Sequence, residues 1–356
     1  MGQLRLVHHV RRIRSHSSPD IYEGYPVLRN KFSHTLSLFF LRTYVEQWPT
    51  FFTDFFTLIS PQESSSSSSF NPHVSLLLFH LILEISGEVA DQMLKAARIH
   101  NPARHARDGR VRDAVRERDA AKINEAVLTI IAANVEKLSK LRSASDSTES
   151  RKELEQTEEV VDWGIRTFGS YVGWVDINLT VTPTTVPLLF TLISDAALPI
   201  RLATCVSLSR IVSKGLKESG DKLQLIKVLS LAEVLATLEE RTRKEQIGRG
   251  EDTDEGEESY REALGKLLNV LGLELCKLSE VRVTSRSLRL GGTLKYPQDT
   301  QDDVRTEATR LSDQVLSVML RFLADTYDDT SSTVFPFLST VLLAVSLLFP
   351  SSRVTH

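Results

Sequence analysis

The stretch VPLLFTLISDAALPIRLATCVSLSRIV, Val186 to Val212, sets the architecture. Leu188, Leu189, Leu192 and Ile193 recur at the spacing that lines one face of a helix, and Pro187 stands where a first turn tolerates it. Asp195 opens a turn, and its carboxylate can accept the orphan N–H groups at the next helix start. Pro199 begins that second helix, whose apolar line is Leu202, Cys205, Leu208 and Val212. Arg201, on its first turn, is within reach of Asp195 or of the aspartate of a neighbouring repeat. Two short helices folded back on each other cannot bury their own apolar faces, so stacked neighbours are required.

The order proline, leucine ladder, aspartate, then arginine followed by small and apolar residues is similar to the HEAT-repeat consensus. The expected fold is all-α, an α-solenoid of HEAT-like helical hairpins. Length agrees, because 356 residues exceed a usual single core and call for two domains or an elongated stack. Hydrophobic content of 41% and charged content of 25% are those of a soluble folded chain. A net charge of −3 favours neither nucleic acid nor membrane overall, although a scaffold can concentrate positive charge on one face. Cys205 and Cys276 both fall on apolar helical faces and read as small buried hydrophobes in a reducing compartment, cytosol or nucleus.

Outward from the central hairpin, the chain repeats helix pairs with polar connectors. Residues 1–26 form a basic leader expected to be disordered, with Arg5, Arg11, Arg12 and Arg14 and no acid before Asp20. Residues 27–142 read as N-terminal HEAT-like hairpins with a Ser-rich insert at 62–70. Phe32, Leu36, Phe39, Phe40 and Tyr44 line one side of the first helix. A Trp48-Pro49 start then leads into Phe51, Phe52, Phe55, Phe56 and Ile59. His73 to Ile85 is so apolar that it must be covered on more than one side. Residues 143–158 read as a polar linker and helix start. Residues 159–280 read as central repeats, with a helix bent or broken by Gly164, Gly169 and Gly173, a continuous helix from Lys222 to Glu240 and an acidic loop at 251–258. Residues 281–301 have no good helical period, and 302–356 form a terminal hairpin. Its uncharged run Val334 to Phe349 is short of a bilayer span and reads as a buried helix, without membrane insertion.

Motifs for catalysis are missing: no Gly-rich phosphate loop, Gly-x-Ser-x-Gly, His-Glu-x-x-His or Cys-x-x-Cys appears. The expectation is a non-enzyme without cofactor, metal or small-molecule substrate. His73 and His80 read as packing residues. Glu251 to Glu262 fails as a calcium loop, since Glu and Thr occupy its first and third ligand positions. Two charged stretches invite function. Arg104, Arg107, Arg110, Arg112, Arg116, Arg118 and Lys122 stand against four acids. They are either a salt-bridged helix face or a phosphate-tracking surface suited to the planar fork of arginine. Glu251, Asp252, Asp254, Glu255, Glu257 and Glu258 are either a solvated loop or a docking loop for a basic partner such as a small GTPase.

The Trp48-Pro49 hairpin with its paired phenylalanines resembles that of exportins in the karyopherin-β superfamily. Longer stretches strengthen the likeness: Arg29–Ile59, DGRVRDAVRERDAAKINEAV at Asp108–Val127, Gly173–Lys217 and Arg310–Leu338 together resemble the fungal exportin-T family of tRNA exporters. Members of that family are longer, so the resemblance implies a partial chain. It also implies a carrier that binds tRNA cooperatively with Ran-GTP, shuttles between nucleus and cytoplasm past nuclear pore proteins, and releases its cargo in the cytoplasm. The alternative is a HEAT-repeat scaffold that binds only protein.

Overall fold

The computed structural model describes residues 26–59, 70–90, 101–143, 147–249, 255–287 and 298–348. The leader before Pro26, most of the Ser-rich insert, Glu251, Asp252 and Asp254, residues 288–297 and the end of the tail lie outside them. The described residues are helical, with no strand among them. They divide into two compact units, residues 1–191 and 192–356.

Unit 1 is built from α1 (Pro26–Thr43), α2 (Phe51–Ile59), α3 (Pro72–Ala90), α4 (Pro102–Arg118), α5 (Ala120–Ser143), α6 (Thr148–Val172) and a single turn, α7 (Ile177–Thr180). α3 sits centrally, packed by α1 and α6, and α6 pairs antiparallel with α5. The burial of Leu76, Leu78, Phe79, Leu81, Ile82 and Ile85 matches the apolar reading of α3. α3 is also the one described helix long and apolar enough to cross a membrane, and 67% of its apolar window is buried inside the fold. The α1–α2 pair closes over aromatic rings, with Phe40 stacked on Tyr44 at 4.5 Å and edge-on to Phe51 at 4.8 Å. Such pairs add about 0.5–1.5 kcal/mol each beyond their buried area. Trp48 Nε1 donates to Asp54 Oδ2 at 2.6 Å and fixes the turn between the two helices.

α8 (Thr185–Leu192) follows, with Val186, Leu189 and Leu192 buried as the leucine ladder requires. Unit 2 then consists of α9 (Leu198–Ser213), α10 (Ser219–Leu229), α11 (Leu231–Arg249), α12 (Glu255–Ser287), α13 (Gln298–Leu323), the short α14 (Asp328–Ser332) and α15 (Phe335–Leu348). α12 is its axis, contacted by α9, α11, α13 and α15. Leu264, Leu267, Leu268, Leu271 and Leu275 are covered on every side. Asp195 accepts from the Ala197 N–H at 2.8 Å, as the turn reading expects. The Arg201 guanidinium pairs with a glutamate of the same unit, Glu257 of α12, at 2.8 Å.

Several expectations are corrected. α6 runs unbroken through Gly164 and Gly169, and it begins at Thr148, where Ser147 accepts the Ser150 N–H at 3.1 Å. Gly164 sits at a close helix contact: a Cβ there would lie 2.7 Å from Ile131 Cγ1. The continuous helix over Lys222–Glu240 is two helices, divided at Ser230 with φ 43°. No Gly or Pro marks that break, so the apolar period runs across it. α12 continues to Ser287 and α13 starts at Gln298, shortening the irregular insert, because Val281–Ser287 holds no helix breaker. Phe39 is 39% exposed instead of inward. α15 buries Phe337 but leaves Leu342 and Leu343 exposed, so it is covered on one side only.

Candidate nucleic-acid interface

Helix α4 presents six of the seven predicted cations, and Lys122 lies on the first turn of α5. Asn101 caps it, accepting the Arg104 N–H at 3.1 Å, and Asp108, Val111, Ala114 and Val115 face inward. With that face buried, the arginines are distributed along the remainder, and the structure sorts them into two groups. Arg104 pairs with Glu88 at 3.0 Å, Arg107 with Asp108 at 2.7 Å and Arg112 with Asp113 at 3.1 Å, while Arg116 stands 3.9 Å from the same Asp113. These four are largely compensated, as a salt-bridged face would be. Arg110, Arg118 and Lys122 are exposed and carry no ion pair among the described residues.

The α4–α5 break organises two of those three. Asp119 caps α4 with its N–H to the Val115 carbonyl, and α5 starts one residue later, so Arg118 and Lys122 flank a single non-helical residue. The Tyr44 hydroxyl donates to Asp119 Oδ2 at 2.6 Å, and the Arg118 guanidinium lies 5.6 Å from the Tyr44 ring centre. Burial first, then the hydrogen bond to Asp119, holds the Tyr44 hydroxyl far above its ordinary range, so it remains a neutral donor. Arg118 therefore rests on an aromatic face that leaves its N–H fork open, the arrangement that lets arginine grip phosphate oxygens in pairs.

The acidic run is not a free loop where it is described. Glu255, Glu257 and Glu258 form the first turn of α12, where the helix dipole favours negative charge. Glu257 is held by the two terminal guanidinium nitrogens of Arg201, whose guanidinium lies 4.4 Å from the Tyr260 ring centre. Glu257 thus clips α9 to α12, whereas Glu255 and Glu258 have no ion pair among the described residues.

Sequence reasoning missed Arg42. On α1 it lines a cleft of about 690 Å³ with Leu38, Phe39, Asn101, Ala103, Arg104 and Arg107. Its spacing of three and four residues from Phe39 and Leu38 was the available signal. No group of three or more His, Cys, Asp or Glu side chains among the described residues could hold a metal ion.

Antiparallel helix pairs that bury their apolar faces against neighbouring pairs define the class of helical-repeat proteins, and comparison narrows it. The family of Exportin 1-like proteins matches residues 25–208, and the chain belongs to that family. Two fungal proteins named Exportin-T are 63% identical to it: that of Coprinopsis cinerea over 317 residues, covering 89% of this chain and 28% of that protein, and that of Laccaria bicolor over 315 residues, covering 88% and 27%. Exportin-T of Mycosarcoma maydis is 31% identical over 333 residues, covering 88% of this chain and 28% of the relative. The chain spans little more than a quarter of the curated relatives it matches.

Proposed function

We propose that the chain is part of a nuclear export receptor for tRNA, which binds its cargo together with Ran-GTP and surrenders it in the cytoplasm. The observation that carries this is the 63% identity to two proteins named Exportin-T over most of the chain. Arg110, Arg118 and Lys122 support the RNA half of the reading, being uncompensated cations, two of them at the α4–α5 junction and Arg110 two turns earlier on α4. Structured RNA exposes phosphates and sugar hydroxyls more readily than base edges, so a reader of any tRNA needs charge and curvature, not hydrogen-bond patterns. Cooperation with Ran-GTP follows from linkage: ligands that favour the same arrangement of helices raise each other's affinity by the same factor. Passage through the pore by way of nuclear pore proteins, and shuttling between nucleus and cytoplasm, complete the cycle.

The compensated state of Arg104, Arg107, Arg112 and Arg116 favours a second reading, a scaffold that binds only protein. Filter binding of mature tRNA to the 356-residue chain, with and without Ran-GTP, separates the two. The export reading expects saturable binding strengthened about fivefold or more by Ran-GTP. No tRNA retention under either condition leaves the scaffold.

A further inference from the structure

The α1–α4 cleft has a chemistry unlike that of the exposed cations. Its α1 wall is Leu38, Phe39 and Arg42 on one helix face, and its α4 wall is Ala103, Arg104 and Arg107 above the cap residue Asn101. Leu38 is 40% exposed and Phe39 39%, although the Phe39 ring also meets Trp48 edge-on at 6.2 Å. Two adjacent apolar side chains are thus held open beside three guanidinium groups.

The charges decide what fits. Arg104 is drawn to Glu88 and Arg107 to Asp108, so both are compensated and contribute mainly their methylene stems as wall. Arg42 is exposed and has no ion pair among the described residues. A polyphosphate needs a cation for each phosphate it lays down, and this cleft offers one. An apolar wall with a single unspent guanidinium suits a ligand with an apolar side chain next to a carboxylate, which arginine holds in bidentate fashion. The volume is that of a pocket for a few residues, not of a duplex groove.

We propose that this cleft docks an acidic peptide segment of a protein partner. A leucine or phenylalanine of the segment seats against Leu38 and Phe39, and a flanking carboxylate binds Arg42. The docking is separate from the RNA surface, since it uses none of Arg110, Arg118 and Lys122.

The test is fluorescence anisotropy with the 356-residue chain and a fluorescein-labelled peptide whose Leu-Phe core is flanked on each side by glutamates. Saturable binding is expected, weakened about tenfold or more by Arg42→Glu and by Phe39→Ser. Lysine in place of the flanking glutamates, or serine in place of the Leu-Phe core, should abolish it. Arg42→Lys keeps the charge without the fork and should lose a few-fold only. Both positions are exposed, and far-UV circular dichroism verifies each variant; should Phe39→Ser misfold, Leu38→Ser replaces it. Absence of binding, equal binding of the lysine peptide, or wild-type affinity in both variants overturns the proposal. So does displacement of the peptide by a single-stranded RNA oligonucleotide whose own binding depends on Arg42, which assigns the cleft to nucleic acid.

Discussion

The Arg261 guanidinium grips Asp325 at 2.5 Å with both side chains 5% exposed or less, tying α12 to the segment after α13. The same guanidinium donates to Thr242 of α11 at 3.0 Å and lies 5.3 Å from the Phe322 ring centre. Removing one member of a buried pair strands the other charge, which costs about 3–5 kcal/mol, whereas apolar replacement of both can be nearly neutral. Asp325→Ala should therefore lower the stability of unit 2 by that amount, and Arg261→Met with Asp325→Leu should recover most of it. Urea unfolding of Arg261→Met, of Asp325→Leu and of the double variant measures the coupling.

Two helical glycines should respond in opposite directions. Alanine is favoured over glycine inside a helix by about 1 kcal/mol. Gly87 of α3 has nothing within 4 Å of an added Cβ, so Gly87→Ala should stabilise by about 0.5–1 kcal/mol. At Gly164 the added Cβ would lie 2.7 Å from Ile131 and 3.2 Å from Phe79, so the helix gain is outweighed by overpacking of about 1–3 kcal/mol. Thermal unfolding of the two variants should shift to opposite sides of the parent.

Ser230 holds φ 43° at the exposed junction of α10 and α11. Glycine adopts that conformation without the Cβ penalty. Ser230→Gly should leave stability unchanged or raise it by about 1 kcal/mol, and Ser230→Val should lower it by more than that. Chemical denaturation of both variants reads the difference.

These three sites show where the fold was legible and where it was not. Hairpins, leucine ladders and the all-α class follow from apolar spacing, because burial enforces the helical period over many residues. A break at Ser230, or a glycine set by a close contact, depends on what lies across the interface, and no local pattern carries that. The candidate site was legible as composition only. The seven cations stand out in sequence, but which are neutralised is set by Glu88, Asp108 and Asp113, one of them on another helix. The local spacing of Leu38, Phe39 and Arg42 puts those three on one helix face, but the α4 residues that make this face a cleft are about sixty positions away in sequence, so only the fold brings the walls together.

His80 gives unit 1 a pH response. It is buried against the Trp163 ring at 4.2 Å, its Nε2 has no hydrogen-bond partner, and burial followed by the charge of Arg29 lowers its pKa from 6.5 to about 4. The native state therefore keeps a neutral imidazole while the unfolded chain takes up a proton below 6.5. Its contribution to stability is constant above that pH and declines between about 6.5 and 4, by up to roughly 3 kcal/mol. Unfolding followed across that range should show the decline, and His80→Leu should remove this part of it.

Whether the uncompensated cations of α4 and the start of α5 hold tRNA by its phosphates is decided by the salt dependence of tRNA affinity. For the parent chain in the presence of Ran-GTP, log affinity should fall linearly and steeply with log salt. Arg110→Glu, Arg118→Glu and Lys122→Glu combined should flatten that slope by about 2–3, close to one for each phosphate no longer neutralised. An affinity indifferent to salt, or a slope unchanged in the triple variant, rules out phosphate binding by these three cations.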